Sequence, residues 1–177
     1  NWLMMEKYST QSTFYKDVTI SRCQPTDFLV SVLRKDILSE CDEKVAGWFT
    51  AWPKDLWYCL VATVDGKPFS IASARQDGKV MCYLYTLKEY RVKYRDLAQT
   101  DYTRIFIDNA TTDSLYLTID AFSNKHKRLA KAWDRTIMNG QIPNEYTPYK
   151  GKWKYEGIKE YRGVDQHFYR LNIKEVV

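Results

Sequence analysis

Two Asp-Gly dipeptides, at 65–66 and 77–78, are the features that most restrict how this chain can fold. They separate three strand-like runs, LWYCLVATV at 56–64, KPFSIASARQ at 67–76 and KVMCYLYTL at 79–87. Asp-Gly is favoured in two-residue hairpin turns because both central residues of such a turn need a positive φ. The sequence therefore predicts that the three runs form an antiparallel meander.

The remaining patterns predict an α/β (α+β) protein. Period-2 alternation indicates strands, and apolar residues at a spacing of 3.6 indicate helices. The predicted elements outside the meander are a strand at 16–23, helices at 25–40, 42–52, 91–109 and 123–140, a strand at 113–122, and a final hairpin formed by 153–161 and 167–173. Together they give a mixed, mostly antiparallel sheet of about seven strands flanked by helices, in a single domain over 1–177.

Composition excludes several classes of protein. The four cysteines form no C-x-x-C pair and there are only two histidines, so we expect no metal site. Cys59 and Cys82 lie in apolar runs, where buried reduced thiols are expected, and reduced thiols fit a cytoplasmic protein. We find no signal-peptide pattern and no apolar run long enough to span a membrane. The net charge of +5 permits an anionic partner without requiring one.

The stretch YTLKEYRVKYRDLA, at 85–98, leads from the meander into a basic turn. Loops that bind a phosphorylated cofactor are usually rich in glycine, because backbone N–H groups must approach the phosphate oxygens closely. Here no glycine occurs between Gly78 and Gly140. The stretch is therefore either a cofactor loop without its glycines or a basic surface turn.

The order of elements resembles the GNAT family of N-acyltransferases, which move an acyl group from coenzyme A to an amine. LVATVDGKPFSIASA at 60–74 resembles the family's hydrophobic strand, turn and returning strand. LYTLKEYR at 84–91 resembles its fourth strand running into the cofactor loop, and SLYLTIDAFSNKHKRLAKAW at 114–133 resembles its fifth strand and next helix. The resemblance spans about 17–173 and implies an acetyl-CoA or other acyl-CoA donor.

The cofactor loop departs from the family pattern, Arg/Gln-x-x-Gly-x-Gly/Ala. Arg91 occupies the first position, Tyr94 stands where the first glycine belongs, and Asp96 stands at the second. We expect Tyr94 to add bulk and Asp96 to add negative charge near the pyrophosphate. Arg91, Lys93 and Arg95 could compensate by direct ion pairing. Either the loop binds the cofactor with side chains, or the fold has lost or exchanged its cofactor.

The resemblance also implies which other residues bind the cofactor. The family's fourth strand pairs its backbone with the pantetheine arm, as an added strand would. In this sequence that strand carries Tyr83, Leu84, Tyr85 and Thr86, and Asn124 matches the residue that often opens the helix after the fifth strand. The alternative for the strand residues is ordinary pairing within the sheet.

Acyl transfer to an amine requires a base for the amine proton and an acid for the leaving thiolate. The family often uses a tyrosine acid near the position of Trp133, and an indole cannot take this role. The candidates are therefore Tyr83, Tyr85 and Tyr116 as acid and Asp120 as base. Each of them could equally have a structural role. No Ser/His/Asp or Cys/His order typical of a hydrolase stands out.

Two segments, at 125–135 and 149–163, interleave basic and aromatic residues. Such a surface could bind nucleic acid, with charges for phosphates and rings for bases, or it could be a solvated face. Our leading hypothesis is a GNAT-like acyltransferase with an unidentified amine acceptor. The alternatives are a GNAT-like protein that binds or modifies nucleic acid, of a kind that would suit a phage, and a protein-interaction domain. Nothing in the sequence indicates an oligomeric state.

Overall fold

Eight strands of the computed structural model form one sheet in the order β1-β2-β3-β4-β5-β6-β8-β7. The structure describes residues 9–22, 39, 56–75, 80–95, 97–110, 112–120, 149, 152–161 and 163–176. The strands are β1 Ser9–Gln11, β2 Val18–Arg22, β3 Leu56–Val64, β4 Lys67–Arg75, β5 Val80–Thr86, β6 Ser114–Asp120, β7 Trp153–Tyr161 and β8 Val164–Asn172.

The predicted meander is confirmed. β3 pairs antiparallel with β4, and β4 pairs antiparallel with β5. Asp65 and Gly66 have φ values of 51° and 73°, so both occupy the left-handed region that the short hairpin turn demands. The second Asp-Gly turn, at 77–78, lies outside the described residues.

The other predicted strands are also present, with small differences at their ends. β1, a three-residue strand whose Thr10 pairs with Ile20, was not predicted, so the described sheet has eight strands rather than about seven. β8 begins at Val164 instead of His167 because Gly163, with φ of 80°, closes a tighter turn after β7 than we expected.

The helix predicted at 91–109 is present only over 98–108, and it begins with a π-helical turn. The α-helix, here α1, covers only Thr103–Asp108; it follows a 3₁₀ turn at Lys88–Tyr90 and a π-helical turn at Ala98–Tyr102. Tertiary contacts override helix propensity in this segment, because Tyr94 and Asp101 are both held in the interior.

The predicted helices at 25–40, 42–52 and 123–140 lie outside the described residues, apart from Ser39, which is helical. In the part of the chain that the structure describes, no helix has the length and apolar character needed to cross a bilayer.

The two faces of the sheet have different surroundings. One face, which we call the helix face, packs against α1 and the segment before it. Its buried cluster includes Leu60, Ala72, Leu115, Leu117 and Leu171 from the strands and Tyr94, Leu97, Tyr102, Ile105 and Phe106 from the segment between β5 and β6. The opposite face, which we call the far face, carries the alternate strand residues, such as Ile71, Tyr85, Tyr116 and Phe168.

Candidate active site

β5 and β6 are parallel neighbours whose ladder is short. It comprises the pairs Val80↔Tyr116 and Met81↔Leu117, near the beginning of both strands. Residues 82–86 of β5 and 118–120 of β6 continue beyond this ladder without pairing with each other, and we call the unpaired region between these carboxyl ends the cleft. An interrupted ladder at this end of a parallel pair is a common place for a ligand, because an extended group can enter and pair with the strand backbone.

β5 contains a bulge where it borders the cleft. Cys82 pairs with Ser73 and Tyr85 pairs with Ile71, so Tyr83 and Leu84 together oppose a single residue of β4. A bulge redirects the backbone locally and is often found beside functional sites. The cofactor-binding strand that we predicted is therefore irregular along the wall of the cleft. The half-buried Leu84 packs against the helix-face core.

Arg91 ties the loop after β5 back to the end of that strand. Its Nε donates a 2.8 Å hydrogen bond to the carbonyl oxygen of Thr86. Its guanidinium lies 5.3 Å from the ring centroid of Tyr85, which is buried on the far face. This geometry places a cation at the mouth of the cleft and fixes it against the strand.

Thr86 also ends a buried chain of hydroxyl groups. The hydroxyl of Tyr102 donates to Ser70 Oγ at 2.9 Å, and Ser70 Oγ lies 2.8 Å from Thr86 Oγ1. Ser70 is fully buried and Tyr102 is almost so. Buried hydroxyl groups need hydrogen-bond partners, and these bonds provide them. The chain holds the end of β5 on the segment that leads into α1.

The backbone of the loop hydrogen-bonds with itself. The N–H groups of Arg91, Tyr94 and Leu97 donate to the carbonyl oxygens of Lys88, Tyr90 and Tyr94, respectively, at 3.3, 3.0 and 3.2 Å. A glycine-rich phosphate loop would instead direct such groups at the ligand. The loop is thus a set of tight turns, and its side chains are better placed than these N–H groups to meet an anion.

Tyr94 explains why the family's first glycine is absent. Its ring is 3% exposed and packs 4.8 Å from Phe69 and 5.0 Å from Tyr15, measured between ring centroids. Its hydroxyl donates a 2.6 Å hydrogen bond to Asp17. That bond holds the pKa of Asp17 below its usual value, while burial raises the pKa of Tyr94. The bulk that we expected against the pyrophosphate lies in the core instead.

Lys93 and Arg95 lie on the outside of the loop. The Lys93 side chain is 70% exposed and its Nζ is 3.5 Å from Asp17, in an exposed pair that contributes little to stability. Hydrogen bonding to Tyr94, together with the charge of Asp17, raises the pKa of Lys93, so this side chain is cationic at neutral pH. Arg95 is exposed as well. Both cations can turn toward a phosphate without disrupting the core.

The other wall of the cleft is β6. Tyr116 is half-buried and its ring lies edge-on to Phe168, 6.4 Å away on the far face. Asp120 is the last residue of β6 and pairs with Gln166 of β8. Tyr85, Tyr116 and position 120 therefore share the far face on the two strands that border the cleft. For Tyr83 and Asp120 the structure describes the backbone alone, and Asn124 lies outside the described residues.

Gln166 is a residue that the sequence analysis missed. The predicted last strand began one residue later, at His167, whereas Gln166 lies within β8 and is 2% exposed. Alternation in β8 could have signalled its face only if the start of the strand had been known. Across the described ranges, His, Cys, Asp and Glu form no group of three or more that could bind a metal ion.

These observations define an α+β protein whose mixed sheet contains a short parallel ladder between β5 and β6. The fold is that of the GNAT acetyltransferases, as comparison with solved structures shows. A GNAT acetyltransferase of Staphylococcus aureus Mu50 matches with a TM-score of 0.57 and 12% identity, over 87% of this chain and 99% of that one. An acetyltransferase of Streptococcus agalactiae 2603 matches with a TM-score of 0.54 and 11% identity, over 89% and 99%.

The ribosomal-protein-S18-alanine N-acetyltransferase of Escherichia coli has the same fold. It matches with a TM-score of 0.53 and 14% identity, over 88% of this chain and 94% of that one. Neither the models of protein families nor the curated proteins give a match to this sequence. At these identities the likeness establishes the fold.

Proposed function

We propose that this protein is an N-acyltransferase that uses acyl-CoA to acylate an amine. The observation that carries the proposal is the cleft between β5 and β6, where the parallel ladder ends after two residue pairs and β5 is bulged. The pantetheine arm of coenzyme A is an extended chain with two amide groups, so it can pair with the backbone of residues 82–86 as an added strand.

The loop fits the phosphate end of acyl-CoA through its side chains. Lys93 and Arg95 are exposed cations on the loop, and Arg91 is fixed at the mouth of the cleft by Thr86 and Tyr85. Charge-assisted bonds from these groups can replace the N–H cradle of a glycine-rich loop. This favours a retained donor over a lost one.

The candidate acid and base occupy far-face positions of β5 and β6. A bound acyl-CoA supplies a thioester carbonyl, at which the amine nitrogen forms a C–N bond while the C–S bond breaks. The amine proton must leave, and Asp120 at the end of β6 is our candidate base. The departing thiolate must gain a proton, and Tyr85 or Tyr116 is our candidate acid. Tyr85 and Tyr116 lie on strands that face each other across the cleft.

Hydrogen exchange with acetyl-CoA tests the donor directly. Strand addition predicts slower exchange of amides in 82–86 when acetyl-CoA is added, while residues 61–63, inside an antiparallel part of the sheet, serve as an internal control. The double variant Lys93→Glu and Arg95→Glu should weaken acetyl-CoA binding at least about tenfold through lost charge-assisted bonds. Lys154→Glu, on β7, is the matched control. Unchanged exchange at saturating acetyl-CoA would contradict the proposal.

The nucleic-acid alternative gains no specific support from the described part of 149–163. Lys154 lies 3.5 Å from Glu175, and Lys159 lies 3.6 Å from Glu156, so each of these cations already faces a carboxylate. Exposed pairs of this kind can exchange partners, and binding to a polyanion therefore stays a prediction.

A further inference from the structure

Gln166 carries a buried polar atom that has no hydrogen-bond partner among the described residues. The residue is 2% exposed, and within the described structure its Nε2 makes no hydrogen bond. Leaving a buried donor unpaired is costly, and native proteins contain few such groups. A donor of this kind calls for an explanation, such as a bound water or ion or a role in catalysis.

Its position is next to the cleft. Gln166 pairs with Asp120 on one side and with Lys159 on the other. Directly paired residues of an antiparallel ladder have their Cβ atoms roughly 5 Å apart on the same face. Two positions along β8, Phe168 contacts Tyr116, so alternation puts Gln166 on the far face as well.

The far face is where the reacting end of the donor should emerge. The loop carrying Lys93 and Arg95 follows β5 on the side of the helix-face core, because Tyr90 and Tyr94 pack there against Phe69. A donor that binds this loop with its phosphates and passes through the cleft has its opposite end on the far face. The acceptor amine must meet it there, close to the end of β6.

We propose that Gln166 binds the acceptor through Nε2 and selects primary amines that carry a carbonyl oxygen close to the amine nitrogen. This rests on the proposed function, with the amine placed at Asp120. Asp120 and Gln166 are direct partners in the ladder, so an amine at position 120 would bring an oxygen a few bonds away toward Gln166, as in an α-amino amide. Carbonyl oxygen is the complementary acceptor for an amide N–H.

The test compares two amines of similar size, glycinamide and n-propylamine, because only glycinamide carries the oxygen. With acetyl-CoA as donor, kcat/KM is measured for both amines in the wild type and in Gln166→Leu. We expect the ratio of glycinamide to propylamine to fall at least fivefold in the variant, mainly through KM of glycinamide. Because the change in kcat/KM from wild type to variant is determined for each amine separately, the difference in basicity between the two amines cancels. Gln11→Leu, at the opposite edge of the sheet, should leave the ratio unchanged.

The thermal stability of Gln166→Leu distinguishes a role of Gln166 in binding the acceptor from a structural role. Because Gln166→Leu removes an unpaired buried donor, its Tm should equal or exceed that of the wild type. A lower Tm, an equal loss for both amines, or absence of wild-type turnover with glycinamide while acetyl-CoA still binds would overturn the assignment. Failure of acetyl-CoA to protect 82–86 would instead reject the proposed function, so the two failures are separable.

Discussion

The hydroxyl of Ser12 donates a 2.6 Å hydrogen bond to the carboxylate of Asp101, and the two residues thereby join the turn after β1 to the segment before α1. Asp101 has no exposed surface. It also accepts a 2.9 Å bond from the backbone N–H of Thr13 and lies 3.3 Å from Arg104. A buried charge can persist here because it is both paired and hydrogen-bonded.

We predict that Asp101→Ala lowers the free energy of unfolding by roughly 3 kcal/mol, since it strips a buried network of its central acceptor. Urea unfolding monitored by circular dichroism measures this. Asp108→Ala is the matched control, because Asp108 is 3.9 Å from Arg104 but 64% exposed. Its expected cost is below about 1 kcal/mol. Equal losses in the two variants would show that the buried network has no special role.

Replacing Tyr94 with the glycine of the family pattern should destabilise the protein without improving its binding of acetyl-CoA. Tyr94→Gly is expected to cost about 4 kcal/mol, because it leaves a cavity where the ring packs on Phe69 and Tyr15. It should not strengthen acetyl-CoA binding, since the N–H of Tyr94 is already bonded to Tyr90. Tighter acetyl-CoA binding by a folded Tyr94→Gly protein would contradict this account of the loop.

Tyr94→Phe isolates the hydroxyl and should cost about 1 kcal/mol. The hydrogen bond lowers the pKa of Asp17 in the folded protein. Its contribution is therefore present above the unfolded pKa of about 3.9 and is lost as pH falls through the folded pKa. The difference between wild type and Tyr94→Phe should shrink on acidification, in urea unfolding at pH 7 and pH 3. Asp17 is 44% exposed, so this change is modest.

Tyr149 should make the protein sensitive to alkali. Burial, followed by the charge of Asp108, raises its pKa to about 12. The unfolded chain loses this proton near pH 10 while the folded protein keeps it, so stability is retained below pH 10 and is lost as pH rises toward 12. Tyr149→Phe should recover roughly 2 kcal/mol of that loss at pH 11.5. An alkaline slope that is the same in Tyr149→Phe as in the wild type would contradict this role for Tyr149.

Binding to nucleic acid should be weak and sensitive to salt. Fluorescence polarisation with single-stranded DNA at low and physiological salt measures it, because each neutralised phosphate releases counterions. We expect detectable binding at low salt alone, reduced by Lys127→Ala with Arg128→Ala. The ring of Trp153 is buried in the core, so the stacking on bases that its place in 149–163 suggested is not available to it. Binding that persists at physiological salt would favour the nucleic-acid alternative over a small or protein amine.

Local signals predicted the strands well. Asp65-Gly66 fixed the position of a hairpin because few residues tolerate positive φ at both turn positions, and alternation at 113–122 marked β6. The helix at 91–109 was mispredicted because long-range contacts decide that segment. Asp101 meets Ser12 across 89 residues of sequence, and no periodicity within the segment encodes such a contact.

The candidate site was predictable in part. The resemblance located β5 and its loop, while the faces of Tyr85 and Tyr116 follow from strand register, which a sequence does not state. Tyr94 could be noticed as a missing glycine, yet its burial depends on Phe69, one strand away. Gln166 carried no signal, because an exposed amide in a polar turn and a buried amide in a strand look alike in sequence.

The short ladder between β5 and β6 has a mechanical consequence. Two residue pairs, Val80↔Tyr116 and Met81↔Leu117, are the backbone connection between a five-stranded and a three-stranded half of the described sheet. Each half is antiparallel and extensively hydrogen-bonded, so strain should concentrate at this seam. We expect the two halves of the sheet to rotate slightly relative to each other about this seam. Such a rotation would change the distance between the carboxyl ends of β5 and β6 and would let the same site bind donors with acyl groups of different bulk.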